Sequence, residues 1–139
     1  MDYSAWVQTT NIFVVIGVSL DHAKYGYRVW KHLRLKGLTA LPVNPKYDHI
    51  EGERAYANLE TVVRQNPGIV DKIVVITVVP PAVTQTVLKA AHSLGIKRVW
   101  MQPGSEDDGA IETAQAAGGM QVVYRACIVR DGLGEEFLA

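Results

Sequence analysis

Ile12-Phe13-Val14-Val15-Ile16-Gly17-Val18-Ser19-Leu20-Asp21-His22-Ala23-Lys24-Tyr25-Gly26 is the stretch that decides the fold. Its first five residues are β-branched or aromatic with no polar interruption, the pattern of a strand buried on both faces. Gly17 stops the run and a polar loop follows. From Tyr25 the apolar residues recur at four-residue spacing, as Tyr25, Val29 and Leu33, with Arg28, Lys31 and Arg34 between them. That spacing predicts an amphipathic helix, and Gly37 supplies its stop. A doubly buried strand running through a glycine loop into a helix is the opening of a βαβ unit.

The alternation continues outward. Leu38 to Val43 reads as a second strand stopped by Asn44-Pro45, because proline offers no amide to a ladder and forces its predecessor towards extended geometry. A loop containing Gly52 follows, then a short helix carrying Leu59, Val62 and Val63 before Asn66-Pro67-Gly68. Lys72 to Val79 is the third strand; Pro80-Pro81 then opens a helix with Val83, Val87, Ala91 and Leu94 on one face, since its first turn has amides without intrahelical partners. Val99 to Met101 is a short fourth strand, and Ser105 with Asp108 has the form of a capping box for the helix from Ala110 to Ala117. Met120 to Tyr124, after Gly118-Gly119, is the fifth strand. Five strands separated by helices imply right-handed crossovers and a mainly parallel sheet, a three-layer Rossmann-like α/β fold. One domain over residues 1–139 is expected, as the length suggests.

Composition narrows the function classes. Lys plus Arg and Asp plus Glu both number 14, so the formal charge is zero and neither nucleic acid nor an anionic membrane surface is an expected partner. No apolar run approaches the roughly 20 residues of a spanning helix. Cys127 is the only cysteine, which excludes an intrachain disulfide, and Met1-Asp2-Tyr3 lacks a signal-peptide pattern, so a cytoplasmic location is expected. His22, His32, His49 and His92 have no metal-ligand spacing and read as surface histidines, so no metal is expected.

In such sheets ligands bind beyond the carboxyl ends of the strands, where the strand order reverses. Gly17, Ser19 and Lys24, with the amides of the helix start at Tyr25-Gly26, form a candidate diphosphate cradle: close backbone approach, a hydroxyl donor, a point charge and a positive dipole end. Ser19 and His22 stand where a G-x-G-x-x-G fingerprint needs its second and third glycines. The end of the second strand reads Val43-Asn44-Pro45-Lys46, with no carboxylate for an NAD ribose diol, whereas Lys46 suits a ribose carrying a phosphate, as in coenzyme A or NADP. Thr77, Val79 and Pro80 offer an apolar wall for an adenine ring, and Gln102-Pro103-Gly104 completes the rim. Each feature alone is equally an ordinary turn, solvated lysine or rigid joint.

Taken in order, Val15-Ile16-Gly17-Val18-Ser19, Lys24-Tyr25-Gly26-Tyr27, Pro42-Val43-Asn44-Pro45-Lys46, Val79-Pro80-Pro81 and Trp100-Met101-Gln102-Pro103-Gly104 resemble the small stand-alone CoA-binding proteins. That family is similar in fold to the N-terminal CoA-binding domain of the succinyl-CoA synthetase alpha subunit. The resemblance implies CoA across the crevice, with Gly17, Ser19, Lys24, Tyr25 and Gly26 at the diphosphate. It implies Val43, Asn44, Pro45 and Lys46 around the adenosine, and Thr77, Val79, Pro80 and Gln102 as rim. Val18 departs from the family's usual alanine and adds bulk beside the phosphate loop.

No catalytic set stands out. Tyr27 and Lys31 form a Y-x-x-x-K pair, but on the first helix, where residues four apart are neighbours anyway. Cys127 reads first as a small buried hydrophobe and second as a thiol able to exchange with CoA. Asp107, Asp108 and Glu112 suit the first turn of a helix. The expected function is binding of CoA or an acyl-CoA without catalysis. An NADP-dependent reductase or a subunit of a CoA-thioester enzyme is the alternative. Trp6, Trp30 and Trp100 are candidate anchors for a protein partner or a homo-oligomer.

Overall fold

Ile12–Ile16 forms β1, and it lies inside the sheet because no residue of the run needs water. Thr39–Val43 (β2) pairs with it in parallel on one side and Ile73–Thr77 (β5) on the other. Arg98–Met101 (β6) and Gln121–Val123 (β7) continue the sheet, all parallel, in the order β2-β1-β5-β6-β7. The order reverses between β1 and β5, which makes their carboxyl ends the switch point. The computed structural model describes residues 2–138; Met1 and Ala139, the ends of the expected domain, lie outside the described residues.

Alternate residues of β1 feed two cores, as strand geometry requires. Phe13 and Val15 pack with α1 (Tyr25–Leu35) on one face; Val14 and Ile16 join α2 (Leu59–Gln65), α3 (Pro81–Ser93) and α4 (Asp108–Ala117) on the other. The α1 face is completed by both ends of the chain rather than by another helix. A 3-10 turn, Ser4–Trp6, and a single π-helical turn, Ile128–Gly132, meet at Trp100, whose ring lies 4.8 Å from Tyr3 and 5.7 Å from Trp6.

The structure departs from the sequence expectations in several places. The loop around Gly52 contains a hairpin, His49–Ile50 (β3) with Glu53–Arg54 (β4), too short to show any alternation in sequence. The third strand is shorter than expected: Lys72 ends a 3-10 turn, and Val78 and Val79 lie beyond β5. The cap of α4 is Asp107, whose Oδ2 accepts from the Ala110 amide at 2.9 Å; Ser105 is buried and its hydroxyl donates to the Thr77 and Gln102 carbonyls instead.

Finally, His32 is not a surface histidine. It is buried, with Nε2 at 2.8 Å from Glu135 and Nδ1 accepting from the Leu138 amide at 3.1 Å. Trp30 and Trp100 are also fully buried, with indole N–H groups donating to the carbonyls of Ala40 and Ala126. Both are core residues, which weakens the reading of the tryptophans as contact anchors. Among the described residues no helix is long and apolar enough to cross a membrane.

Candidate functional site

Three strand ends are sewn together at the switch point. The Gly17 amide donates to Val43 O at 2.9 Å, Val78 N to Ile16 O at 2.9 Å, and Asn44 Nδ2 to Val18 O at 2.8 Å. Gly17 has φ +102°, and a Cβ there would stand 2.3 Å from Val78 O. A Cβ on Gly26 would stand 2.1 Å from Gly17 O. The two glycines therefore let the first turn of α1 press directly onto the loop that leaves β1, the close approach that only a missing side chain permits.

The donors open to an anion are not those of Gly17 itself, because its N–H and that of Val18 are taken by Val43 O. They lie at the start of α1, whose N-cap Lys24 provides no side-chain cap. By contrast α2 and α4 are capped by Asn58 and Asp107. An uncapped helix start presents free N–H groups and the positive end of the helix dipole. Within the loop, Ser19 Oγ accepts from Asp21 N at 3.0 Å and retains its own proton for donation.

Beside this loop a cavity of about 650 Å³ opens. Ile16 and Gly17 form its floor and Val43 to Lys46 one wall; Val79, Pro80 and the outward face of α3 form the other, and the start of α2 closes the end. Its lining is mostly apolar, as in pockets that take a flat ring. Lys46 sits exposed on the rim and makes no ion pair among the described residues.

Of the residues singled out in sequence, Gly17, Val43, Asn44, Pro45, Lys46, Val79 and Pro80 line the cavity. Ser19, Lys24, Tyr25 and Gly26 form the adjoining loop and helix start. Thr77 and Gln102 are elsewhere. Both are fully buried: Thr77 Oγ1 is 2.8 Å from Ser105 Oγ, and Gln102 Nε2 donates to Tyr25 OH at 3.0 Å and more weakly to Cys127 Sγ at 3.4 Å. Gln102 Oε1 accepts from the Ile128 amide at 2.7 Å, so both ends of the side chain serve the interior. Tyr25 OH donates to Cys127 Sγ at 3.1 Å; burial, then the neighbouring thiol, push its phenol above the ordinary range.

Ile16, the α2 start at Ala57 to Glu60, and the α3 residues Val83, Thr86, Val87 and Ala90 also line the cavity, without a sequence signal for it. Val83 and Val87 fall on the apolar face of that helix, and Asn58 carries the signature of an N-cap; only the tertiary fold shows that these face a void. Among the described residues no group of three or more His, Cys, Asp or Glu side chains is placed to hold a metal ion.

Residues 11–132 match the family described as CoA binding domain. The chain belongs to that family. Over 86 residues the CoA-binding domain is 36% identical to the acetate–CoA ligase [ADP-forming] II subunit alpha of Pyrococcus furiosus, a match covering 61% of this chain and 18% of that subunit. The chain thus spans under a fifth of the length of this relative. Among solved structures it is similar to a conserved hypothetical protein from Pyrococcus furiosus, with 38% identity, TM-score 0.73, and coverage of 84% of this chain and 95% of that one. A hypothetical protein from Pyrococcus horikoshii OT3 matches with 29% identity and TM-score 0.75, covering 91% of this chain and 84% of that one.

Proposed function

We propose that this CoA-binding domain holds CoA or an acyl-CoA across the crevice after β1 and leaves it chemically unchanged. The observation that carries the reading is the apolar cavity at the switch point, flanked by the uncapped start of α1 and bearing on its rim a lysine that makes no ion pair among the described residues. In this reading the diphosphate lies against Ser19, Lys24 and the first turn formed by Tyr25 and Gly26. The adenine lies between the Val43–Pro45 segment and Val79–Pro80, and Lys46 meets the ribose phosphate. The absence of conversion is supported by the placement of Tyr25 and Cys127, whose hydroxyl and thiol are hydrogen-bonded to each other.

Calorimetry with CoA, dephospho-CoA and NADP tests this. CoA should bind more tightly than dephospho-CoA, and Lys46→Ala should erase that difference. A chain that takes up no CoA sinks the reading, and tighter binding of NADP redirects it towards reductase chemistry. The similarity to a ligase subunit of much greater length favours a second reading, in which other domains or chains supply chemistry to the CoA held here. Detection of a CoA-thioester activity only when the chain is combined with a co-purifying partner would establish it.

A further inference from the structure

We propose that Glu51 is a positioning residue that fixes the loop after β1 in its ligand-ready shape; its bearing on affinity rests on the function proposed above. Glu51 and Gly52 form the two-residue turn of the β3–β4 hairpin, with φ +51° and +79°. A turn with positive φ at both positions favours Asn, Asp or Gly at the first, because a longer L side chain is strained there. Glutamate occupies it nonetheless, and its carboxylate takes two donors from α1 and lies against His22 of the loop. Oε2 accepts from Tyr27 OH and lies 3.3 Å from His22 Nε2, while Oε1 accepts from Lys31 Nζ at 2.7 Å.

His22 belongs to the loop and also stacks on Tyr27, with ring centroids 4.2 Å apart and planes 9° from parallel. The other bonds within residues 19–24 are local: Ser19 to Asp21, Asp21 to Ala23 and Asp21 to Lys24. Asn44 holds the loop at Val18 O; among the described residues the side-chain link from residues 19–24 to a distant part of the chain runs through His22 to Glu51. The Y-x-x-x-K pair of Tyr27 and Lys31 is the α1 half of the same clasp. Ionised Glu51 is favoured there: Lys31 and Tyr27 hold its carboxyl below the usual range.

Removing the carboxylate need not unfold the hairpin, which keeps buried Ile50 and the Arg34–Glu53 ion pair at 2.7 Å. Glu51→Asn separates positioning from structure, since Asn suits the turn but cannot reach Tyr27, Lys31 or His22. The variant should match or exceed the parent chain in thermal stability. Amide exchange at residues 19–24 should accelerate, and CoA affinity should fall about tenfold if the competent loop drops to about a tenth of the population. Glu51→Gln, which still accepts from Tyr27, should rescue part of the affinity, and His22→Ala should reproduce the faster exchange without touching the turn. Exchange at 19–24 as slow as in the parent chain, in both Glu51→Asn and His22→Ala, overturns the proposal, as does unchanged CoA affinity. If the parent chain takes up no CoA, the functional reading fails by itself and the exchange result alone decides the clasp.

Discussion

The backbone leaving β1 and β2 and the side chains at the ends of β5 and β6 meet at the same edge of one sheet, yet they have opposite fates, and Val79 and Pro80 after β5 belong to the open side. At the first pair, glycine and an Asn-Pro turn draw the chain aside and a cavity opens between them and α3. At the second pair, Thr77 and Gln102 project polar side chains that are closed over by Ser105, Tyr25 and residues 126–131. Polar chemistry at a strand end is therefore no guide to access. What decides is whether a later part of the chain returns to cover it.

Substitutions on the two sides should separate cleanly. The largest effect is expected for Gly17→Ala, whose Cβ would strike Val78 O at 2.3 Å in a backbone conformation that disfavours any side chain. A loss of about 3 kcal/mol in denaturant unfolding, with CoA binding abolished, is the expected outcome. Gln102→Ala should cost about 2 kcal/mol by stranding the buried Ile128 amide, with CoA affinity nearly unchanged. A large affinity loss without a stability loss would instead place Gln102 at the ligand and erase the contrast. Lys46→Ala should behave in the opposite way, weakening CoA about tenfold while leaving unfolding untouched, because its exposed charge makes no ion pair among the described residues.

The smallest effect concerns alkaline pH. Tyr27, held protonated by burial and then by Glu51, ionises at about 12 in the folded chain. A free tyrosine does so near 10. The folded state therefore binds the proton more tightly, and this contribution to stability is intact below about pH 10 and is lost as pH rises towards about 12. Ultraviolet titration of the phenols with Tyr27→Phe as reference should show the late-ionising group disappear.

Much of the open side was legible in the sequence, because its determinants are local. The apolar run before Gly17, the Asn44-Pro45 stop and the lysine after it each have a direct backbone or charge consequence. The closed side was legible only in part. Thr77 and Gln102 do stand at strand ends, but Thr77 is closed by Ser105 and Gln102 by the start of a π-helical turn more than twenty residues downstream, with no periodic signature of its own. The Glu51 turn was hidden for a related reason: Gly52 suggests a turn, but two-residue strands leave no alternation to count. Asp107 rather than Ser105 capping α4 shows the same limit, since two plausible caps in one loop are told apart only by which one the core claims.

The meeting of both ends of the chain on Trp100 has a kinetic meaning. Gly132 lies against Val7 and Trp100, so the last layer over this face joins segments that are almost as far apart as the sequence allows. Contacts of such high sequence separation carry the largest loop-closure cost and slow the search for the native state. The β1–β2 pair, by contrast, forms from neighbouring stretches of the first third of the chain. Assembly on this order would build the cradle early and bolt the far flank last. Trp100, ringed by Tyr3, Trp6 and the π-turn, would be the residue whose fluorescence reports that final step.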